Sequence, residues 1–319
     1  MFEKTVSWRV AFLMLASLLI QPANSQGRMV HFSKEHSMGV LYVRDANSNQ
    51  QWEKLGEAKG DVNVPAGKEC GLEVAADASK DLSRLTALKG DDFKLLALAG
   101  GDVNDSKMRY AAELTSIESL WLQNCPVGDS GLAQIKNLKS LKQVVLFNTN
   151  VTGEGLAVLG ELPALRDLNC CKLKVGKAGL AHLKGLTRLT SLSITRTNIK
   201  DADLDCLSGM TQLEQLDLSS TLITDDGLAN LAPLKRLRHL NLWSDQLSDN
   251  GLGWLTTLKN LETLQISGDF TDAGLVHLEA LSSLKTLVIT GSALTQEGID
   301  RLKAKTKIQE VIFTSAGQK

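Results

Sequence analysis

The chain has 319 residues, with 35 Lys and Arg against 36 Asp and Glu, a formal net charge of −1, 43% hydrophobic residues and 4% aromatics. This balance excludes a disordered polyelectrolyte and lacks the basic excess of a typical nucleic-acid binder, while 56 Leu supply abundant apolar matter of one kind. Length alone suggests about two ordinary domains, a prior that internal repetition overrules.

In chain order, residues 1–25 read as an export signal. Lys4 and Arg9 precede an eleven-residue apolar run from Val10 to Ile20, and Ala23-Asn24-Ser25 offers a small-residue cleavage site. As a helix that run rises only about 16 Å, half of a hydrocarbon core, so a membrane anchor is the weaker reading. The mature chain is expected to begin near Gln26, outside the cytoplasm, with no membrane span after cleavage.

Residues 26–68 are expected to form a small β cap. Gly39 to Arg44 has strand character, Asn47 to Gln50 that of a turn, and Val62 to Val64 forms a second strand before Pro65. An independent binding module is the alternative for this segment.

From residue 69 to 319 one pattern dominates. Two apolar residues separated by one other recur at Leu72/Val74, Leu96/Leu98, Leu120/Leu122, Val144/Leu146, Leu168/Cys170, Leu192/Ile194, Leu216/Leu218, Leu240/Leu242 and Leu264/Ile266, with a constant step of 24 residues. Leu287/Ile289 follows after 23 and Val311/Phe313 after 24, giving about eleven rungs. A fixed step of this kind means stacked units, each burying its apolar side against its neighbours.

Within the unit from Leu216, Leu216 and Leu218 alternate as a short strand and Thr221 and Ile223 turn the chain inward. Leu228, Leu231, Leu234 and Leu237 then follow at helical or wide-turn spacing. Asp129, Asp201, Asp225, Asp249 and Asp272 recur just before these helical segments and are expected to cap the first turn of their own helix. Capping accounts for the column without a metal ion. The first unit has its leucines displaced to Leu82, Leu85 and Leu88, and the unit from Leu264 lacks one residue before Phe270, which should bend or tighten that turn. Lys303, Lys305 and Lys307 suggest a polar closing edge.

Thr221-Leu-Ile-Thr-Asp-Asp-Gly-Leu228 and Thr149-Asn-Val-Thr-Gly-Glu-Gly-Leu156 resemble the 24-residue units of leucine-rich repeat proteins of the bacterial exported type. They are also similar to the cysteine-containing repeats of F-box substrate receptors. The resemblance implies an α/β fold: a right-handed solenoid, horseshoe or arc, with a parallel β-sheet on the concave face and helices on the convex face. No F-box-like segment accompanies the repeats, so a ubiquitin-ligase role is not carried over.

Paired leucines point into such a stack, so the residues beside them face the concave surface. There the sequence places Trp121, Gln123, Val145, Phe147, Asn169, Thr195, Asp217, Asn241 and Trp243, with His239 at the edge. Trp121, Phe147 and Val145 are expected to form one apolar patch, and Trp243 lies roughly 19 Å beyond at the usual strand spacing. Aromatic anchors flanking small polar groups suit a protein or peptide partner. They also suit a carbohydrate stacked on Trp, and a purely structural envelope role is a third reading.

Nothing points to catalysis. The five histidines show no relation to a serine nucleophile, and neither a Gly-x-Ser-x-Gly turn nor a phosphate loop is present. Cys171 is expected on the concave face nearly three rungs, roughly 14 Å, from His239, too far for a thiolate–imidazole pair. Cys70, Cys125, Cys170, Cys171 and Cys206 are read mostly as small core residues, since an odd number cannot form a closed disulfide framework. The expectation is a non-catalytic binding scaffold without cofactor or metal, exported to the periplasm, envelope or medium, with no nucleic-acid partner.

Overall fold

The computed structural model describes residues 27–48, 50–291 and 293–315. The expected export signal, residues 1–25, lies outside the described residues.

Five strands open the fold: β1 (Arg28–His31), β2 (Gly39–Asp45), β3 (Glu53–Glu57), β4 (Asp61–Val64) and β5 (Lys68–Val74). The repeats contribute β6 (Leu95–Ala99), β7 (Ser119–Gln123), β8 (Gln143–Phe147), β9 (Asp167–Cys171), β10 (Ser191–Ser193), β11 (Gln215–Asp217), β12 (His239–Ser248), β13 (Thr263–Asp269), β14 (Thr286–Gly291) and β15 (Glu310–Ser315). Among the described residues, thirteen of these strands make one sheet, ordered β15 to β5 in reverse chain sequence and then β2 and β3. From β5 to β15 every pairing is parallel.

The register of that ladder is the sequence period made visible. Leu96 pairs with Leu120, Leu120 with Val144, Leu192 with Leu216 and Leu240 with Leu264, so equivalent residues stack on equivalent residues. A slip of one residue would send each leucine row to the solvent side, which fixes the register tightly. The inward rows and the return-segment leucines Leu228, Leu231, Leu234 and Leu237 join one continuous hydrophobic cluster. The return segments are short. Asp225–Leu231 is a 3-10 helix and Asp249–Leu255 an α-helix, while Gln296–Lys305 is a ten-residue α-helix.

The aspartate column acts differently from the capping expectation. No side-chain cap is made at the starts of the helices Asp129–Leu132 or Asp225–Leu231. Each carboxylate instead reaches the next rung. Asp129 accepts the backbone N–H of Thr152 at 2.7 Å, Asp201 that of Thr224 at 2.8 Å, Asp225 that of Ser248 at 2.8 Å, Asp249 that of Thr271 at 2.9 Å and Asp272 that of Thr295 at 2.9 Å. The second carboxylate oxygen accepts the hydroxyl of the same Thr or Ser. Two-pronged acceptance by a charged group makes each link stronger than a neutral hydrogen bond. The glycine of the repeat belongs to the same device: a Cβ at Gly155, Gly227, Gly251, Gly274 or Gly298 would overlap the carboxylate of the preceding rung.

At the N-terminal end the expected strand at Gly39 is β2, which runs antiparallel to β5 and so covers the first rung. Two features depart from expectation. Two strands outside the expected pair are present: β3, a hairpin partner of β2 that extends the sheet, and β1, which pairs with β4 in a separate two-stranded sheet. Val30, Leu41, Val43, Ala58 and Val64 are buried in the same cluster as Leu72, Leu82 and Leu85, so this segment shares the core of the repeats. In the rung lacking one residue, Gly268 passes so close to the Leu247 carbonyl that a Cβ would overlap it, and Phe270 fills the interior. That turn is tightened, as the deletion requires.

Candidate functional site

The sheet face turned away from the core carries all ten residues picked out above, and each is half-buried. Parallel register places Trp121 beside Val145, Val145 beside Asn169 and Gln123 beside Phe147, while Asp217 lies beside Asn241. These residues therefore lie along one face of the sheet.

The two indoles are held alike. Trp121 Nε1 donates to Gln143 Oε1 at 2.9 Å, and Trp243 Nε1 donates to Gln265 Oε1 at 3.4 Å; both acceptors lie diagonally on the next rung. With its N–H satisfied, each indole is restrained while still half-exposed. Gln143 Nε2 in turn donates to Asp167 Oδ2 at 2.7 Å. Burial pushes the Asp167 carboxyl above its ordinary range, and hydrogen bonds from Gln143 and Ser191 only partly oppose this.

Further along, Asp217 accepts the Ser219 N–H at 2.9 Å and the Asn241 amide at 3.3 Å. Asn169 Oδ1 is shielded from solvent with no hydrogen-bond partner among the described residues. Burial lowers the pKa of His239, with Glu262 opposing and Arg238 adding to the effect. Glu262 itself is bound by Lys285 at 2.6 Å and by Arg238.

The expected patch of Trp121, Val145 and Phe147 falls on two registers of the ladder. Val145 adjoins Trp121, but Phe147 is registered with Gln123, and its ring meets the Lys172 ammonium 5.7 Å from the ring centroid. Cys171 also differs from expectation: it lies on this face of the sheet but is buried, 8% exposed, between neighbouring rungs. All five cysteines are buried and free. Burial pushes the Cys70 thiol up to about 11 and those of Cys170 and Cys206 up to about 12. Among the described residues no group of three or more His, Cys, Asp or Glu side chains is placed to hold a metal ion.

Gln143, Asp167 and Gln265 hydrogen-bond residues of this face yet escape a reading confined to residues beside the leucine pairs. Their signal is the Trp-to-Gln spacing of 22 residues, repeated in both places. Trp254, 48% exposed on the helix Asp249–Leu255, also lies outside the strand columns.

A stack of in-register strands with helical returns, an apolar ladder inside and a polar-aromatic sheet face outside defines an α/β solenoid of the leucine-rich repeat type. The family described as Leucine Rich repeat matches residues 209–232. No curated protein matches by sequence. Among solved structures, internalin C2 from Listeria monocytogenes is 21% identical, with 73% of this chain and 84% of that one covered and a TM-score of 0.46. An internalin (inlF) from the same organism is 18% identical, covering 77% and 85%, with a TM-score of 0.40. TLR13 in its complex with ssRNA13 is 15% identical, covering 73% and 41%, with a TM-score of 0.48. Among the described residues no helix is long and apolar enough to cross a membrane.

Proposed function

We propose that this protein is an exported, non-catalytic scaffold that captures a protein or peptide on the solvent face of its sheet, the concave face of the solenoid. The repeats are read as those of exported bacterial members with a similarity to the cysteine-containing subclass, and residues 1–25 as the signal that directs export. The observation that carries the reading is the pair of half-buried indoles, Trp121 and Trp243, each fixed through its N–H and flanking a run of small polar groups. Few restrained aromatics usually dominate such an interface, because little side-chain entropy remains to be lost on binding.

The test is a pull-down from the native envelope or medium with the mature chain, using Trp121→Ala with Trp243→Ala as control. A partner retained by the wild type and lost by the double variant, with an unchanged thermal transition, supports this reading. Equal retention by both rejects the sheet face as the site. Competition by soluble oligosaccharide would assign a glycan ligand instead, and competition by a single-stranded RNA would assign a nucleic acid.

A further inference from the structure

The near-neutral charge of the whole chain conceals one uneven stretch. From Leu168 to Lys200 there is no Asp or Glu, while Lys172, Lys174, Lys177, Arg196 and Lys200 fall in or beside the turns that follow β9 and β10. All five are exposed, and among the described residues none of them forms an ion pair. This cluster occupies the place where the aspartate ladder is interrupted, since Gly153 and Lys177 stand where the other rungs carry the linking carboxylate.

The geometry there is concave as well as basic. Lys172, Lys174, Arg196, Asn148, Asn198 and Leu222 line an open depression of about 450 Å³. Asn198 accepts the Gly176 N–H at 3.1 Å through its amide oxygen, which leaves its NH₂ group as a donor without an acceptor among the described residues. Lys172 and Arg196 hold left-handed backbone conformations, φ 59° and 53°, at the position filled by Asn124 and Asn148 in the two preceding rungs. Asn adopts this conformation more readily than Lys or Arg, so local backbone preference does not explain the two cations.

We propose that this edge is a docking site for an acidic polypeptide segment, whose carboxylates pair with Lys172, Lys174 and Arg196 while its backbone meets the Asn198 amide. Adjacent rungs are about 4.8 Å apart, and side chains on one side of an extended peptide recur about every 6.8 Å, so flexible Lys and Arg arms on neighbouring rungs reach successive carboxylates. A long polyanion is the poorer fit. Lying along this edge it would run onto the columns of Asp105 and Asp129 on one side and Asp201, Asp225 and Asp249 on the other. A short acidic segment crossing the two basic rungs avoids them. The site adjoins the sheet face but does not rest on its proposed role.

The test uses the full chain and a fluorescein-labelled hexaglutamate peptide, followed by fluorescence anisotropy at low salt. Lys172→Asn with Arg196→Asn removes two charges with the residue type found at this left-handed position in the preceding rungs. The expected result is at least a tenfold loss of affinity in that variant, an unchanged thermal transition and weakening of wild-type binding as salt rises. Lys184→Asn with Arg188→Asn, in the return segment leading into β10, should bind as wild type does. The proposal is overturned by no measurable wild-type binding, by equal binding in the Lys172/Arg196 variant, or by an equal loss in the Lys184/Arg188 control, which would indicate net charge alone. Tighter binding of a heparin hexasaccharide or a single-stranded hexanucleotide than of hexaglutamate overturns it as well.

Discussion

The Asp225 carboxylate occupies the space that a Cβ on Gly251 would need, while the same oxygen accepts the Ser248 N–H at 2.8 Å. Two positions that look independent in the repeat, an acid in one unit and a glycine in the next, are therefore a single joint between rungs. Coupled joints of this kind hold a stack whose units have little stability alone.

Asp225→Ala is expected to cost about 1.5–3 kcal/mol, the range for hydrogen bonds to a charged group. Gly251→Ala should cost about 1–3 kcal/mol through overpacking. In the double variant the new methyl group enters the vacated space, so the penalties should fall short of additive by roughly 1 kcal/mol or more. Urea denaturation of the four proteins measures this, and strict additivity would refute the joint.

The inward assignment of the Leu218 row is open to a direct comparison with the exposed turn that follows it. Leu218 is buried and Ser220, two residues on, is exposed with φ 57°. Leu218→Asp should abolish the cooperative thermal transition or lower it strongly, because an unpaired buried charge costs several kcal/mol. Ser220→Asp, a residue that tolerates the left-handed conformation, should change stability by no more than about 0.5 kcal/mol. Similar melting of the two variants would contradict the inward assignment of the Leu218 row.

Asp167 makes stability pH-dependent. Its folded pKa is raised by burial, so the folded state holds this proton more tightly than the unfolded chain does. The contribution of the site is most favourable below the unfolded value near 3.8, and it declines as pH rises through the raised folded value. Asp167→Asn preserves a hydrogen-bonding side chain but cannot ionise. It should be more stable than wild type above that window, with the difference shrinking as the solution is acidified. A pH series of denaturation midpoints checks the sign, and a pH-independent difference would count against it.

Much of this architecture is legible in the sequence. A constant 24-residue step specifies the rungs, and alternation around Leu216 and Leu218 specifies which side chains face inward, since adjacent residues on a strand must point to opposite sides. The ten residues picked out for the outer face therefore fall together without any knowledge of coordinates. The partners that hold them were not legible in that reading. Gln143 and Gln265 meet the indoles diagonally, one rung on and two positions back, and a reading by columns misses a contact that crosses columns. Sequence proximity points the aspartates to the nearest helix start, as caps. Stacking instead brings the next rung's Thr or Ser within hydrogen-bond reach, some 22 to 23 residues away in the chain. Likewise, no strand pattern announced that β4 pairs with β1 rather than with β2, because pairing is decided by which edges the chain brings together. Periodicity determines what is repeated and which way it faces; only the packed stack decides which distant groups meet, because those contacts depend on the spacing between rungs rather than along the chain.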